Sequence, residues 1–574
     1  MSGMLAADSN VFEFARVVSK HWCLALAISL VLSFPLTFLI TSITAYRQRK
    51  SKDVSREPPT YPYWIPFLGH VVKFTVDRMS FFGEIKKKFG ETPATVWIGP
   101  MKAYAVAPEH YGRLINDTKT LTNKKLSEVA MAQVFGSPSQ LYFKDRSGVM
   151  ATPLPGRELP SHLRIWHFKH RSAQQFFNGK NLRQAEERME ACLSADLAQV
   201  NPNDPVDSGD WVEIPDFYKW WRTRQMAAGL KALCGPHLVR LSPSIADDLW
   251  EFFEGWPLLA LPLSSLTSAN TLRARRRILD AIKKWHAFAR QHKDYEKPDP
   301  DYDEYWGGPH FRTRYAWAMN SGMMDDEAIA AEDFSLIANA SYNVKTLSFY
   351  IIAEVFNDRA LYKRMEPEFE GMVTNPTPKD STASTCKVQN LTEPIHIDIA
   401  RVCSSPLLQS VYAEILRLRV SAFLSRSPAQ DDTSYALGSY ELKDDGQALL
   451  LLPMAHRNPD LWRPERKQQP LHKFWADRFL DKSNGTERFS TESLQENGWF
   501  PYGGGVFVCP GKALAKQQML AATVLFAAYF DMEMVDDVPE ANEQFLGGSV
   551  PPPKQATRVR VRRKVGIMGN NAEK

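Results

Sequence analysis

From Cys23 to Ser42 twenty consecutive residues, mostly Leu, Ala, Ile, Val and Phe, carry no charge. At 1.5 Å per residue such a run crosses the ~30 Å hydrocarbon core of a bilayer, and Pro35 inside it is tolerated in a spanning helix. Further along, apolar positions at helical spacing predict helices at Met79–Phe89, Asp325–Asn357, Leu407–Val420 and Lys512–Tyr529, and a long amphipathic region at Trp166–Ala198. The Asp325–Asn357 stretch contains neither Gly nor Pro. Thr95–Val106 reads as strand, and Tyr440–Leu452 as a hairpin turning at Asp445-Gly446. Asp294–Pro309, Asn375–Asn390 and Lys482–Asn497 are polar and predict surface loops. No internal repeat is present.

Charge and cysteine usage narrow the class. The 574 residues carry a net charge of +5 without a basic tract, which gives no footprint for nucleic acid. Six scattered cysteines, none paired at zinc or redox-dithiol spacing, fit a reducing compartment. Arg47, Arg49, Lys50, Lys52 and Arg56 follow the apolar run, whereas Arg16 and Lys20 before it are offset by Asp8 and Glu13. The positive-inside rule therefore places the bulk of the chain in the cytosol. A signal peptide is the rival reading, opposed by the length of the run and the lack of a clear small-residue cleavage site. The expected organisation is a lumenal N-terminus (1–22), a transmembrane anchor (23–46), a basic and proline-rich linker (47–69) and one catalytic domain (70–574).

The chemistry concentrates in Phe500-Pro-Tyr-Gly-Gly-Gly-Val-Phe-Val-Cys509-Pro-Gly511-Lys. A cysteine after a glycine-rich loop and before a helix suits an axial thiolate ligand of haem. Glycines allow close backbone approach to a flat ring, and a helix N-terminus favours the anionic sulfur. The rival is a glycine loop around a structural cysteine.

The run resembles the signature of the cytochrome P-450 superfamily, the haem-thiolate monooxygenases, in which Phe-Gly-x-Gly-x-Arg-x-Cys-x-Gly surrounds the ligand. Tyr502, Gly503, Gly505, Cys509 and Gly511 fill five of its positions, the first by an aromatic swap, and Phe507 stands where the family has a propionate-binding arginine. Glu414-Ile-Leu-Arg417 matches the family's Glu-x-x-Arg, whose pair clamps a downstream arginine. Two arginines compete for that third place. Pro464-Glu465-Arg466 has the literal motif and Phe474-Trp-Ala-Asp-Arg478-Phe-Leu the right frame; Arg478 is favoured, because His456-Arg-Asn-Pro459-Asp-Leu-Trp462 resembles the segment that normally precedes that arginine. Pro58-Pro59-Thr-Tyr-Pro62 and Pro66 look like the hinge of microsomal members.

The resemblance also carries expectations for the other face of the haem. In Ala338-Asn-Ala-Ser-Tyr342-Asn343-Val-Lys-Thr346, Tyr342 and Asn343 replace the usual acid–alcohol pair, so Asn343 and Thr346 are expected to line the distal side. This stretch and the missing loop arginine look similar to the branch containing sterol hydroxylases acting at ring carbon seven and prostacyclin synthase. Arg426 and Arg171 are the candidate propionate ligands, and Trp166 opens a shifted Trp-x-x-x-Arg. The resemblance implies a mainly α fold with a smaller β region behind one transmembrane helix. It implies haem b on Cys509, with electrons from NADPH through a membrane-bound reductase and cytochrome b5 as an optional second donor. The implied setting is the endoplasmic reticulum membrane, single-pass, and the implied substrate a lipophilic sterol, terpenoid, fatty acid or polyketide selected by residues 115–155 and 235–270. Alternatives on the same fold are an electron-independent isomerase or dehydratase of a lipid peroxide, and a non-catalytic haem-binding membrane protein.

Overall fold

The computed structural model describes residues 4–50, 56–138, 140–199, 206, 210–260, 268–296, 302–374, 394–462, 469–482, 485–491, 494, 498–543, 545 and 549–564. The chain divides into two compact units. The smaller comprises Met1–Tyr111, Lys119–Thr122 and Ser425–Leu450; the larger comprises Gly112–Thr118, Asn123–Leu424 and Leu451–Lys574.

In the smaller unit one continuous helix, Met4–Lys50, carries Pro35 and outruns the predicted anchor at both ends. Its Ala27–Lys50 portion is long and apolar enough to cross a membrane. The helix Arg78–Phe89 begins where Asp77 accepts the Ser80 amide, and buries Phe81, Phe82, Ile85 and Phe89. The strand-like stretch resolves into two antiparallel strands, Ala94–Ile98 and Met101–Ala105, turning at Gly99 (φ +60°).

The predicted 440–452 hairpin does not form. Tyr440–Lys443 pairs backwards with Ser434–Leu437 around Gly438 (φ +61°), while Gln447–Leu451 runs parallel to Met101–Ala105. All five residues of Gln447–Leu451 are buried, so this strand sits inside a sheet rather than in a two-stranded ribbon. The turn signal at Asp445-Gly446 was real, but it joins two different sheets.

The larger unit is mainly helical. Trp166–Ala198 splits into Ile165–Phe176 and Gly179–Ala198, broken at Phe177-Asn178. Gly179–Ala198, Phe217–Cys234, Asp326–Asn357 and Lys512–Tyr529 pack into a bundle around the large core. The long helix Asp326–Asn357 starts at Asp325, whose carboxylate accepts the Ala328 amide, and buries most of its length, as its unbroken apolar pattern requires. A three-stranded antiparallel sheet, Phe530–Met534, Val559–Arg563 and Val212–Ile214, closes one side. The Asp294–Pro309 loop is not wholly exposed, because Trp306 is fully buried against Trp285 and Tyr315. Lys482–Asn497 contributes a short pairing, Leu480–Asp481 with Arg488–Phe489, and residues 375–390 lie outside the described residues.

Candidate active site

The helix Pro406–Arg419 places Glu414 and Arg417 on one face, three residues apart. Both are fully buried. Glu414 accepts from Arg417 Nε and Nη2 at 2.7 and 2.9 Å, and its two carboxylate oxygens accept from Arg478 Nε at 2.9 and 3.0 Å. The Trp475 amide adds a fifth contact at 3.2 Å. Arg478 spends Nη2 on the Pro470 and Lys473 carbonyls. Burial pulls its guanidinium below the ordinary value, with Glu414 opposing. Both carboxylate oxygens of Glu414 and all three Arg417 guanidinium nitrogens are engaged, the condition under which buried charges are tolerated. The rival Arg466 lies outside the described residues.

The Pro406–Arg419 helix is tied to the cysteine loop by residues that sequence reasoning passed over. Arg417 Nη1 donates to the His456 carbonyl at 3.1 Å, and His456 Nε2 accepts the Phe500 amide at 3.1 Å. Accepting at Nε2 places the ring proton on Nδ1. Burial, with Arg417 and Arg457 close by, lowers the imidazole to about 3, so it stays neutral. Tyr412 and Tyr502 share a 2.6 Å hydroxyl contact, and Trp499 Nε1 donates to the Ala413 carbonyl at 3.2 Å. His456 was visible only as part of the His-Arg-Asn-Pro segment used to choose Arg478. Nothing in spacing alone singles out Tyr412.

In the loop itself, Gly503 and Gly505 are left-handed (φ +69° and +61°). A β-carbon on Gly505 would lie 2.4 Å from Thr118 Cγ2, and one on Gly504 would lie 2.6 Å from Ile115 Cγ2. The tight approach that excludes side chains here is thus to residues 115–118. Gly511 caps the helix Lys512–Tyr529 with ordinary clearance. Phe507 ends a short 3-10 turn and is half-buried.

Cys509 follows that turn, incompletely buried, with its amide on the Tyr502 carbonyl at 2.9 Å. Burial pushes its thiol up, against the pull of the Gly511 amide and Lys512. A metal cation at the sulfur would reverse that sign outright. A half-buried cysteine, an amide directed at its sulfur and a glycine-dependent loop fit a thiolate-ligated haem.

On the long helix the candidates part company. Thr346 is fully buried, bonded to the Tyr342 carbonyl (3.1 Å) and to the Tyr218 hydroxyl (3.0 Å). Asn343 is half-buried, and its Oδ1 finds no donor among the described residues. The Tyr342 ring sits among Trp250, Phe253, Trp256 and Phe545, with centroids 4.9–6.0 Å away. Phe135 extends the cluster through Phe252, Trp256 and Phe334. The two segments expected to select substrate therefore meet on the long helix. Arg171 is exposed, while Trp166 is buried with its amide on Asp145 at 2.9 Å. Arg426, in the smaller unit, is buried, donates to the Ser425 carbonyl and is lowered to about 10 by desolvation.

The cytochrome P450 family model matches residues 259–558. The chain belongs to the cytochrome P450 family. It is 27% identical to "Cytochrome P450 monooxygenase efuG" of Hormonema carpetanum, over 96% of this chain and 99% of that one. It is 22% identical to "Cytochrome P450 7A1" of Oryctolagus cuniculus, over 87% and 91%. The retinoic acid bound cyanobacterial CYP120A1 superposes with a TM-score of 0.59 at 15% identity, covering 87% of this chain and 98% of that one, which establishes the shared fold. This P450 is accordingly a monooxygenase-family enzyme, mainly α with a smaller β portion.

Proposed function

We propose that this P450 is a membrane-anchored haem-thiolate monooxygenase that oxidises a lipophilic small molecule with electrons delivered from NADPH by a membrane-bound reductase, cytochrome b5 being an optional second donor. The observation that carries the reading is the buried Glu414–Arg417–Arg478 cluster, joined through His456 to the loop bearing Cys509. Cys509 would hold the haem, and the bound group supplies dioxygen activation, one oxygen atom entering substrate and the other leaving as water. Gly503 and Gly505 give the loop its backbone path, and Tyr412, Trp499 and His456 hold it to the helix behind. Tyr342, Trp250, Phe253 and Phe545 offer an apolar surface suited to a sterol, terpenoid, fatty acid or polyketide. Asn343, whose Oδ1 has no donor among the described residues, orients water on the distal side, and Thr346, held by Tyr218, keeps that turn of helix in place. Arg426 and Arg171 remain the proposed propionate partners. The charge asymmetry around the N-terminal helix supports an endoplasmic reticulum membrane with the catalytic part cytosolic.

A second reading, an isomerase or dehydratase of a lipid peroxide needing no external electrons, is favoured by one observation. The turn 342–346 offers no carboxylic acid, and its threonine is already committed to Tyr218. A carbon monoxide difference spectrum of the purified full chain separates the two. Reduction by NADPH with reductase, giving the strongly red-shifted thiolate band seen with dithionite, supports the monooxygenase. A band with dithionite alone moves the isomerase ahead, and loss of the band in Cys509→Ser is expected under both.

A further inference from the structure

In the larger unit, the helices Gly179–Ala198, Phe217–Cys234, Asp326–Asn357 and Lys512–Tyr529 line a cavity of about 40 Å³. Each of the four puts a polar side chain on its wall: Glu186, Gln225, Lys345 and Gln517. None of these belongs to the cysteine loop, the Glu414 cluster or the aromatic group around Tyr342. Lys345 is 3% exposed and makes no side-chain hydrogen bond or ion pair among the described residues. Burial lowers its ammonium to about 7. The facing helix makes room for it. A β-carbon on Gly229 would lie 3.1 Å from Lys345 Nζ, and glycine is otherwise unfavourable in mid-helix.

The other walls hold acceptors as well as donors. Glu186 Oε1 and Gln517 Oε1 are buried with no donor among the described residues. Gln225 Oε1 accepts the Ser348 hydroxyl at 3.0 Å, which leaves the amide hydrogens of Gln225 uncommitted among the described residues. Glu190 also lines the cavity, and its carboxylate accepts the Ile397 amide at 2.8 Å. Burial raises both Glu186 and Glu190 to about 7. This mixture decides the class of ligand. A small anion would suit Lys345 but face two glutamates, and a metal cation would face Lys345. An apolar ligand would leave every one of these groups unsatisfied, at a high desolvation cost. Only a small molecule that both donates and accepts matches the set. A water needs roughly 10–15 Å³, so the volume suits about two or three of them.

We propose that this cavity is an internal water site of about two or three molecules, which accept from the Lys345 ammonium and the Gln225 amide and donate to Glu186 Oε1 and Gln517 Oε1. Lys345 directly precedes Thr346, and Gln517 lies on the helix that follows Cys509. The waters therefore join the long helix, at the turn carrying Asn343 and Thr346, to the helix behind the cysteine loop. They also solvate a lysine that no carboxylate among the described residues pairs.

The test uses crystals of the full haem-loaded chain that diffract well enough to show ordered solvent, first as grown and then under xenon gas. About two or three water peaks are expected within hydrogen-bond distance of the four groups, bridging Lys345 to Gln517, and no xenon should enter. Xenon in the wild-type cavity would mean that it is dry, which overturns the proposal. A single peak that scatters anomalously when bromide replaces chloride would identify an anion and overturn it equally. Lys345→Met removes the charged donor and is expected to exchange water for xenon. A solution measurement on the detergent-solubilised chain stands independently of crystals and of that variant. Oxygen-17 relaxation dispersion counts long-lived internal waters. Gly229→Ala, which puts a methyl group against the ammonium, is expected to lose about one or two of them with the haem spectrum unchanged. An unchanged water count in that variant would refute the site.

Discussion

Replacing Glu414 by Gln isolates what its charge does. The carboxylate accepts five contacts, four from Arg417 and Arg478 at 2.7–3.0 Å and one from the Trp475 amide at 3.2 Å, with no exposure to water. At about 1.5 kcal/mol for each hydrogen bond to a charged group, the four guanidinium contacts alone would total about 6 kcal/mol. The desolvation recovered when the carboxylate goes reduces that to the roughly 3–5 kcal/mol measured when one partner of a buried ion pair is removed. Gln at 414 keeps one carbonyl but turns an amide donor toward a guanidinium donor, and it leaves two buried cations without a counter-charge. Arg478→Met should cost less, about 1.5–3 kcal/mol for its contacts to Glu414, because Glu414 and Arg417 remain paired. The double variant should cost less than the sum by about 1–3 kcal/mol, because the unpaired charges are reduced from two to one. Denaturant midpoints of the detergent-solubilised chain, read by tryptophan fluorescence alongside haem-to-protein absorbance ratio, supply the measurement. A shift below about 1 kcal/mol with full haem content, or strict additivity of the two substitutions, would refute the view that the cluster holds the cysteine loop.

Three other expectations follow from particular residues. His456 titrates near its ordinary value when unfolded but at about 3 when folded. Its depressed value means that its contribution is whole above about pH 6.5 and is lost as pH falls toward 3, amounting to about 2 kcal/mol by pH 5. His456→Gln should flatten the slope of stability against pH between 6.5 and 5, and an unchanged slope would exclude the residue as its source. Lys345 is buried beside a cavity of about 40 Å³ and is lowered from its ordinary 10.5 to about 7 by desolvation. A base depressed on folding stabilises fully above its unfolded value and loses that contribution as pH falls. Lys345→Met should therefore raise stability by about 2–4 kcal/mol near pH 7 and by much less at pH 10, with denaturation midpoints at the two pH values deciding. Gly505→Ala combines a left-handed φ of +61° with a β-carbon 2.4 Å from Thr118. It should cost about 1–2 kcal/mol for the backbone alone and lower haem retention, measured by absorbance after gel filtration; wild-type retention would show that the loop yields easily.

Local chemistry was readable where one residue type satisfies a requirement by itself. An uncharged run from 23 to 42 predicts a long apolar helix, and unbroken helix formers from 325 to 357 predict the long helix that the structure contains. A lone cysteine before a glycine and a helix points to a thiolate site, and Glu414 and Arg417 share a helix face through spacing alone. Each of these depends on a period of a few residues, and the chain carries that information directly.

What required the tertiary structure is partner choice. Arg478 reaches Glu414 across 64 residues, and His456 meets both Arg417 and Phe500; no periodicity specifies such encounters. The 440–452 segment reads as a hairpin because its turn signal is local, yet the buried strand Gln447–Leu451 pairs with Met101–Ala105, more than 300 residues away. Thr346 was expected to line the distal side with Asn343, and the partner of its hydroxyl, Tyr218 on another helix, is a choice that spacing does not specify. Turns and helix faces follow from steric preferences of adjacent residues. Sheet order and buried hydrogen-bond partners are decided by which distant segments exclude water together, and only the folded chain brings those segments to one place.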